Sequence, residues 1–526
     1  MKKDRYEMHK YWGKKPSKDL KTLIEQYSNE NDILFDPFAG YGVFCIEAYV
    51  TNRKVVLNDL NPIASFIQKN VLERNVSIDK LKIEWNIIKD DVGSYINNWF
   101  SFRNDGENKI ITSVLRTNND DIVRCKYKNN TKMNPEYKFT SSEIIDFKIL
   151  ENDFHVATWY PTDTMLENSR ITVKPGTKIE KLFTKRTLDC HSVLFESINR
   201  NSSGAELNLF LLTFTANLAN CSRLVPPIKS RGEMAPGAWM TGFYTGATYL
   251  ENNVIHYFEN RLNKVIKGKQ EYLNEFDNLF NSIDDSKLGK RKNFDELVTA
   301  PYPGYLVKTD DIKSIDLPDK CIDYIFTDPP YGDSVPYFEQ SIIWNSWLKS
   351  SVDYKNEIII SNSKARDKNS TNYMIDMKKA ISEIYRVLKP EKYFSITFHS
   401  LSGLEWNALN NACIEIGFTL HDFQWLVQKT FTPRQLNRAK SVKGDILITF
   451  KKSRALPPIK YLEKETLKST IVIWITNIIS KSPQQTNDIF LRIVKQIYEE
   501  RIIINGINFF EILSGLAKHE NGKWSL

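Results

Sequence analysis

The chain has 526 residues, which is more than one ordinary hydrophobic core holds, so two or three domains are expected. Hydrophobic residues make up 41% of it and charged residues 26%, a composition that excludes an intrinsically disordered chain. Lys and Arg outnumber Asp and Glu by 72 to 64, and the resulting formal charge of +8 suits a polyanionic partner.

The cysteines and the lengths of the apolar runs indicate the compartment in which the protein is expected. The six cysteines are scattered, and no pair has the CxxC spacing of a zinc or redox site, so we expect small buried side chains in a reducing compartment. The charged N-terminus has no apolar segment behind it, and no apolar run reaches membrane-spanning length. We therefore expect a soluble cytoplasmic protein without a membrane partner.

Two parts of the chain alternate strands and helices. The first part predicts a strand, a glycine-containing turn, a helix, a second strand and a second helix in ILFDPF, AGYG, VFCIEAYVTN, KVVLNDLNP and IASFIQKNVLER. The second part predicts three strands, two helices and a final strand pair in GYLVKTD, CIDYIFTDPPY, MKKAISEIYRVLKP, YFSITFHS, EWNALNNACIEIG, FTLHDFQWLVQ and GDILITFKK. Together they predict one doubly wound α/β sheet that ends in a hairpin-like pair.

A long insertion separates these parts, and a tail follows them. From about residue 77 to about 180 the pattern is irregular, polar and rich in Lys and Asn. Apolar residues at helical spacing then predict two packed helices in KLFTKRTLDCHSVLFESINR and ELNLFLLTFTANLANCSRL. The predicted division is a first half of the sheet domain, an inserted target-recognition region, a second half and a small helical module, at residues 1–76, 77–300, 301–455 and 456–526.

The first group of candidate site residues is the turn at residues 36–42, DPFAGYG, between a strand and a helix. Glycines there let the backbone approach a ligand, and the helix N-terminus offers unpaired N–H groups. Asp59, at the end of the next strand, stands where a carboxylate accepts hydrogen bonds from both hydroxyls of a ribose. The pattern indicates a nucleoside-containing cofactor, and a turn with glycines for steric reasons alone is the alternative.

The second group is Asp328-Pro329-Pro330-Tyr331, at the end of the strand IDYIFT. The prolines fix the backbone and lack N–H donors, so the carbonyls remain available to an amine. The Asp328 carboxylate and the Pro329 carbonyl would hold the two hydrogens of an exocyclic amino group and localise its lone pair, with Tyr331 stacked on a flipped base. The alternative is a rigid turn with a half-buried tyrosine.

In combination, these stretches resemble the bacterial DNA amino-methyltransferases. DPFAGYG, NDLNP and TDPPY look like motifs I, II and IV, and the likeness extends to HKYWGKKP, KTDDI and EIYRVLKPEKYFSITF. KLFTKRTL and the stretch through NCSRL are similar to the helical region of the adenine-specific methylases that often contain a zinc ribbon. The resemblance covers about residues 5–76 and 175–455.

The resemblance implies a Rossmann-like methyltransferase sheet that binds S-adenosylmethionine and assigns roles by position. The implied cofactor-binding residues are Lys15, Asp36, Phe38, Gly40, Gly42, Asp59 and Asp310, and the implied catalytic residues are Asp328, Pro329, Pro330 and Tyr331. Asp311 is an alternative to Asp310, and Lys15 is alternatively a solvated lysine beside Pro16.

Two departures from the family pattern bear on cofactor and metal. Tyr41 stands where relatives carry a small residue, and we expect its side chain to point to solvent and leave cofactor binding intact. The insertion carries only Cys125 where relatives have paired cysteines, so no metal is expected.

The implied reaction is methylation of adenine N6 in double-stranded DNA after base flipping, in restriction–modification or phage defence, with a cognate restriction endonuclease as a candidate partner. Asp328 favours adenine, because relatives with Ser-Pro-Pro favour cytosine N4. Methylation of RNA or of a protein amide, and a non-catalytic DNA-binding subunit, are further alternatives. Basic and aromatic residues of the insertion are candidate contacts to phosphates and bases, namely Arg124, Lys126, Tyr127, Lys128, Lys132, Tyr137 and Lys138.

Overall fold

The structure is a computed structural model, and it describes residues 3–104, 106–129, 134–144, 156, 158–281, 283, 287–398, 404–426, 445–454, 456–504, 506–520 and 522–526. The strands are β1 Ile33–Asp36, β2 Lys54–Asn58, β3 Ser101–Asn104, β4 Glu107–Thr117, β5 Ile122–Tyr127, β6 Glu136–Tyr137, β7 Thr248–Asn252, β8 Gly289–Lys290, β9 Gly304–Lys308, β10 Ile322–Thr327, β11 Leu388–Phe398, β12 Thr419–Leu426, β13 Asp445–Lys451, β14 Lys460–Tyr461, β15 Ile502–Ile503, β16 Lys518–Glu520 and β17 Lys523–Ser525. The helices are α1 Ser17–Tyr27, α2 Val43–Tyr49, α3 Pro62–Leu72, α4 Ile78–Trp99, α5 Lys185–Asn201, α6 Gly204–Leu218, α7 Val254–Phe280, α8 Phe294–Thr299, α9 Tyr337–Asn345, α10 Ser370–Val387, α11 Leu404–Ile416, α12 Lys464–Ile479, α13 Thr486–Glu499 and α14 Phe509–Leu516.

The largest sheet has eight strands in the order β12, β13, β11, β10, β1, β2, β9, β8. Its neighbours from β8 to β11 are parallel, whereas β13 lies antiparallel between β11 and β12. The first strand therefore lies in the middle, and later strands add on both sides of it. The predicted doubly wound sheet is confirmed, and so is its final antiparallel pair.

Both faces of this sheet are covered, which explains why its central strands read as continuous apolar runs. Successive side chains of β1 point to opposite faces, so Leu34 packs in one hydrophobic cluster with Phe44 of α2. Phe35 packs in the other cluster with Ile381 of α10. Since the faces are filled by helices, a ligand reaches the sheet at the ends of its strands.

The insertion contains a second sheet built on β4. This strand pairs antiparallel with β3, β5 and β7, and β6 adds to β5. Helices α5 and α6 confirm the two predicted helices, and both contribute buried side chains to the cluster that contains Leu34. The short strand β8 joins the edge of the main sheet through β9.

The expectation of irregular structure from residue 77 onward is wrong for the strands β3 to β6 and for the 22-residue helix α4. Its N-cap is Ser77, whose hydroxyl accepts a hydrogen bond from the Lys80 N–H at 3.2 Å. One face of the helix is buried, at Leu81, Trp85, Ile88, Val92 and Ile96. The three- and four-residue spacing of that face identifies an amphipathic helix, although the segment as a whole is polar.

The N-terminal segment is fastened to the insertion. The guanidinium of Arg5 is fully buried and lies 2.6 Å from Glu271 of α7. The ring of Tyr272 lies 5.4 Å from the same guanidinium. This contact positions the residues that lead into α1 and the main sheet.

The C-terminal residues form three helices, α12 to α14, with the parallel pair β14/β15 and the hairpin β16/β17. Side chains of these helices pack in the same cluster as the second face of the main sheet. The ring of Tyr498 lies 5.1 Å from that of Phe450 in β13. The predicted domain boundaries stay a prediction.

Candidate active site

Four of the predicted site carboxylates come together at one edge of the main sheet. Asp36 ends β1, Asp59 follows β2, Asp310 lies two residues beyond β9, and Asp328 follows β10. All four line one cleft with about 930 Å³ of empty space, the part open to solvent included. Ligands of doubly wound sheets bind at such strand ends, where the strand order reverses, so this cleft is the candidate nucleoside site.

The glycine-containing turn serves the cleft and the packing behind it. Gly40 lines the cleft with a left-handed φ of +52°, and a Cβ there would lie 3.1 Å from the Tyr11 ring. Gly42 has φ +89°, and a Cβ there would lie 2.9 Å from the Leu57 side chain. The absence of a side chain at Gly40 thus leaves space in the cleft beside Tyr11, whereas its absence at Gly42 allows α2 to pack on β2.

Asp59 braces the turn from the neighbouring strand. One carboxylate oxygen accepts the Gly40 N–H at 2.8 Å, and the other accepts the Asn61 N–H at 2.9 Å. Burial raises the pKa of Asp59 to about 6, and the two N–H donors oppose that rise. Each oxygen keeps further lone-pair capacity for a ligand hydroxyl.

Asp36 lies deeper, with 4% of its surface exposed. Its Oδ1 accepts hydrogen bonds from the Thr327 hydroxyl at 2.8 Å and from the Phe38 N–H at 3.2 Å. Burial raises the pKa of Asp36 to about 8, with smaller rises from the charges of Asp59 and Asp328. A cationic ligand would restore the ionised form.

Asp310 and Asp311 both line the cleft but differ in their partners. The Asp310 carboxylate is 40% exposed and lies 2.8 Å from the Lys308 ammonium. The Asp311 carboxylate caps a short 3-10 helix by accepting the Lys313 N–H at 3.0 Å, and it also faces the Lys313 ammonium at 3.3 Å. Asp310 therefore has the more accessible carboxylate.

Asp328 is held by groups from three parts of the chain. Its Oδ1 accepts a hydrogen bond from the Thr397 hydroxyl of β11 at 2.6 Å and is contacted by the Tyr331 hydroxyl. Its Oδ2 lies 3.0 Å from the Lys15 ammonium. The carboxylate is thus fixed in orientation, with Oδ2 toward the N-terminal segment.

The two prolines differ in what their carbonyls bind. The Tyr373 hydroxyl donates to the Pro330 carbonyl at 2.9 Å. Among the described residues, none donates a hydrogen bond to the Pro329 carbonyl. One of the two carbonyls thus keeps the capacity that an amine hydrogen requires.

Tyr331 lies beside Asp328 rather than in the cleft wall. Its ring packs edge-on against Phe398 at 4.9 Å, and its hydroxyl also lies 2.8 Å from the Thr397 carbonyl oxygen. Of the described site residues, Gly42, Pro329 and Tyr331 are not among those lining the cleft, whereas Lys15, Asp36, Phe38, Gly40, Asp59, Asp310, Asp328 and Pro330 are. The stacking role of Tyr331 stays a prediction.

Tyr41 corrects an expectation from the sequence. Its side chain does not point to solvent, since it is 2% exposed and its hydroxyl donates to the Arg5 carbonyl at 2.6 Å. Its ring also lies 4.1 Å from the Lys14 ammonium. The bulky residue is accommodated because it packs against the N-terminal segment instead of facing solvent.

Several cleft residues were not predicted from the sequence. Tyr11 and Tyr337 stack at 6.4 Å although they are far apart in the chain, and Glu357 joins them in the cleft lining. Glu357 is paired with the buried Arg366, which also bonds Glu339 at 2.9 Å. Burial raises the pKa of Glu357. The spacing of these residues gave no signal, because only the fold brings them together.

Three of the predicted nucleic-acid contacts of the insertion have carboxylate partners within the protein. Arg124 lies 2.7 Å from Glu233, and the Tyr137 hydroxyl donates to Glu143 at 3.0 Å. Lys126 lies 3.6 Å from Glu136. Lys132 lies outside the described residues. The DNA-contacting role of this group stays a prediction.

Metal clusters and membrane spans are both absent from the described residues. No group of three His, Cys, Asp or Glu residues there is arranged to hold a metal ion. Nor does that part of the chain contain a helix with the length and apolarity needed to cross a bilayer.

Residues 1–69 match the family model of the DNA methylases. That span includes Lys15, the glycine-containing turn and Asp59, and it ends before Asp328. The match supports a DNA methyltransferase and leaves its subtype open. No sequence among the curated proteins matches the chain.

Similar solved structures include a candidate DNA modification methylase of Thermus thermophilus, at 10% identity over 36% of this chain and 62% of that chain, with a TM-score of 0.18. They also include an S-adenosylmethionine-dependent methyltransferase of Methanosarcina mazei, at 12% identity over 32% of this chain and 81% of that chain, with a TM-score of 0.17. The chain thus spans less than two thirds of the Thermus protein. These TM-scores are too low to establish a shared fold, so the fold assignment depends on the strand order.

Proposed function

We propose that the protein transfers a methyl group from S-adenosylmethionine to N6 of adenine in double-stranded DNA. The observation that carries this proposal is that Asp328 faces the same cleft as the Gly40 turn and Asp59. A nucleoside subsite and an acceptor for an amine hydrogen are thereby adjacent. The DNA methylase match of residues 1–69 supports methyl transfer to DNA and does not distinguish adenine from cytosine.

The residues of the cleft fit this cofactor. Gly40 leaves room beside the Tyr11 ring that a Cβ would fill, and Asp59 keeps lone pairs for ribose hydroxyls. Asp36 and the other carboxylates give the cleft an acidic lining, which suits a ligand with a sulfonium and an ammonium group. When bound, S-adenosylmethionine supplies an electrophilic methyl group.

The chain's part in the reaction is to make the amine nucleophilic. An exocyclic amine delocalises its lone pair into the base, so it attacks poorly. Asp328 Oδ2 and the Pro329 carbonyl would accept its two N–H groups and localise the lone pair on the nitrogen. The nitrogen would then gain the methyl group, S-adenosylhomocysteine would leave, and the nitrogen would lose one proton, for which Asp328 is the adjacent carboxylate.

The target base follows from the residue before the prolines. Asp328 places a carboxylate opposite the amine, and relatives with serine at this position favour cytosine N4. Adenine N6 is therefore the proposed target, and cytosine N4 keeps the same chemistry with a different base.

The insertion is proposed to recognise the target sequence, since it adds a sheet separate from the one that carries the cleft. A role in restriction–modification or phage defence, a cognate endonuclease and a cytoplasmic location complete the proposal. These depend on the family resemblance alone.

The test is to incubate the protein with S-adenosylmethionine and unmethylated duplex DNA of varied sequence, digest the DNA, and identify methylated nucleosides by mass spectrometry. N6-methyladenine is the expected product, and mapping it gives the recognition sequence. N4-methylcytosine would change the base and keep the mechanism. Unmodified DNA, together with methylated RNA or protein in parallel reactions, would contradict the proposed substrate.

Calorimetry distinguishes the proposed enzyme from a non-catalytic DNA-binding subunit. The proposed enzyme binds S-adenosylmethionine, whereas the absence of both binding and transfer would favour a DNA-binding subunit without catalysis.

A further inference from the structure

Lys15 has a different neighbour from the one that the family resemblance implies. The resemblance places Lys15 among the cofactor-binding residues. In the structure its ammonium lies 3.0 Å from Asp328 Oδ2, in the candidate amine site. The Lys15 and Asp328 side chains are 10% and 19% exposed. Withdrawing both charges this far from water costs desolvation energy that their mutual attraction only partly repays, so the presence of the pair needs a reason.

Lys15 occupies the carboxylate oxygen of Asp328 that a substrate amine would need, which is Oδ2. Oδ1 is already engaged by the Thr397 and Tyr331 hydroxyls. Oδ2 is the oxygen left for an amine hydrogen, and the lysine ammonium is a donor at that same atom. Gly13 also approaches it, since a Cβ on Gly13 would lie 3.3 Å from Oδ2.

The neighbouring lysine shows that the backbone here is fixed. The Lys14 ammonium donates to the carbonyls of Tyr6 at 2.5 Å and His9 at 2.8 Å. Lys14 therefore fastens the segment, while Lys15 extends into the cleft. The four-carbon stem of Lys15 allows its ammonium to move by several ångströms without a backbone change.

We propose that Lys15 couples the two subsites of the cleft. It holds Oδ2 of Asp328 until the carboxylate of the cofactor's methionine part is present, and it then turns to that carboxylate and opens Oδ2 to the amine. This inference rests on the proposed function and specifies its order of binding, with the cofactor before the base. Lys15 is thus a positioning residue that acts through Asp328.

The test uses two ligands that differ in the amino-acid part. S-adenosylhomocysteine carries the carboxylate, whereas 5′-methylthioadenosine has the nucleoside without it. Their affinities are measured by calorimetry for the wild type, Lys15→Met, Asp328→Asn and the double variant. Lys18→Met is the matched control, because Lys18 is an exposed lysine three residues away.

Lys15→Met should weaken S-adenosylhomocysteine binding about fivefold or more and leave 5′-methylthioadenosine binding within about twofold. Asp328→Asn should strengthen S-adenosylhomocysteine binding, because Lys15 no longer has the carboxylate to leave. That gain should vanish in the Lys15→Met background, as a double-mutant cycle requires for coupled residues. Unchanged 5′-methylthioadenosine binding also shows that each variant is folded.

Equal losses for both ligands would mean a structural role for Lys15 and would overturn the inference. A gain from Asp328→Asn that persists without Lys15 would overturn it as well. If neither ligand binds the wild type, the proposed function itself fails. If both ligands bind the wild type normally but Lys15→Met and Asp328→Asn show no coupling, only the inference about Lys15 fails.

Discussion

The carboxylates of the cleft differ in how much of their hydrogen-bonding capacity the protein already uses. Asp36 accepts two protein donors at one oxygen, and Asp59 accepts one N–H at each oxygen. Asp311 caps a helix and pairs with Lys313, whereas Asp328 is held at both oxygens. Asp59 keeps further lone-pair capacity at each oxygen, so its substitution should affect ligand binding more than folding.

Asp36→Asn should make the stability of the ligand-free protein less dependent on pH. Burial raises the pKa of Asp36 from 3.8 to about 8, so between these values the folded state binds one proton more than the unfolded state. The free energy of unfolding of the wild type then falls as pH rises, by at most about 1.4 kcal/mol per pH unit from this group.

Urea unfolding at pH 5 and pH 9 measures the effect. The variant should gain stability relative to the wild type at pH 9, by more than it does at pH 5. A difference that does not grow with pH would contradict the raised pKa.

Asp310 and Asp311 should differ in the property that substitution changes. Asp310→Asn should weaken S-adenosylhomocysteine binding, since its carboxylate is the more exposed of the two and is proposed to face the cofactor's adenine amine. Asp311→Ala should instead lower the melting temperature, because it removes the side-chain cap of the short 3-10 helix and the partner of the Lys313 ammonium. Calorimetry and thermal unfolding on both variants separate the two roles, and reversed results would exchange their assignments.

At the scale of elements, apolar periodicity predicted two helices of the insertion correctly and missed α4. The two helices predicted between residues 181 and 224 correspond to α5 and α6. Helix α4 was missed because it was grouped with the long polar segment that follows it, although Ser77 and the spacing of Leu81, Trp85 and Ile88 carry the signal. The contacts of α4 with α5 and α7 depend on tertiary packing, which periodicity does not specify.

One lysine of α7 holds the end of α3. The Lys269 ammonium is fully buried and donates to the carbonyls of Asn70, Val71 and Glu73 at 2.7, 3.0 and 2.6 Å. These carbonyls lie at the C-terminal end of α3, where a helix leaves acceptors without partners. The contact joins the insertion to the layer of helices on the main sheet.

Lys269→Met should lower the free energy of unfolding by at least about 2 kcal/mol, because each buried acceptor left without a donor costs roughly 1–3 kcal/mol. Lys267→Met is the matched control on the same helix, since Lys267 is 71% exposed and pairs at the surface with Asp4. Denaturant unfolding compares them. Equal effects of the two substitutions would contradict the capping role.

At the scale of the whole molecule, the sequence predicted the sheet and the residues at its strand ends because both are local signals. The Gly40 turn, Asp59 and Asp328 each stand beside a recognisable strand, and a doubly wound order brings strand ends together. Glu357 and Tyr337 were not predicted, since segments outside the motifs carry them into the cleft. The contact of Lys15 with Asp328 was also missed, because it joins residues 313 positions apart.

The most direct test of the account compares the wild type with Asp328→Asn. The amide keeps the shape of the side chain and removes the negative charge that accepts the amine hydrogen. Methyl transfer from labelled S-adenosylmethionine to DNA is measured together with calorimetric binding of S-adenosylhomocysteine. The expected results are N6-methyladenine from the wild type, no transfer above background from the variant, and cofactor binding by the variant at least as tight as by the wild type. Transfer by the variant at the wild-type rate, or loss of binding together with transfer, would contradict the assignment of Asp328 to the amine.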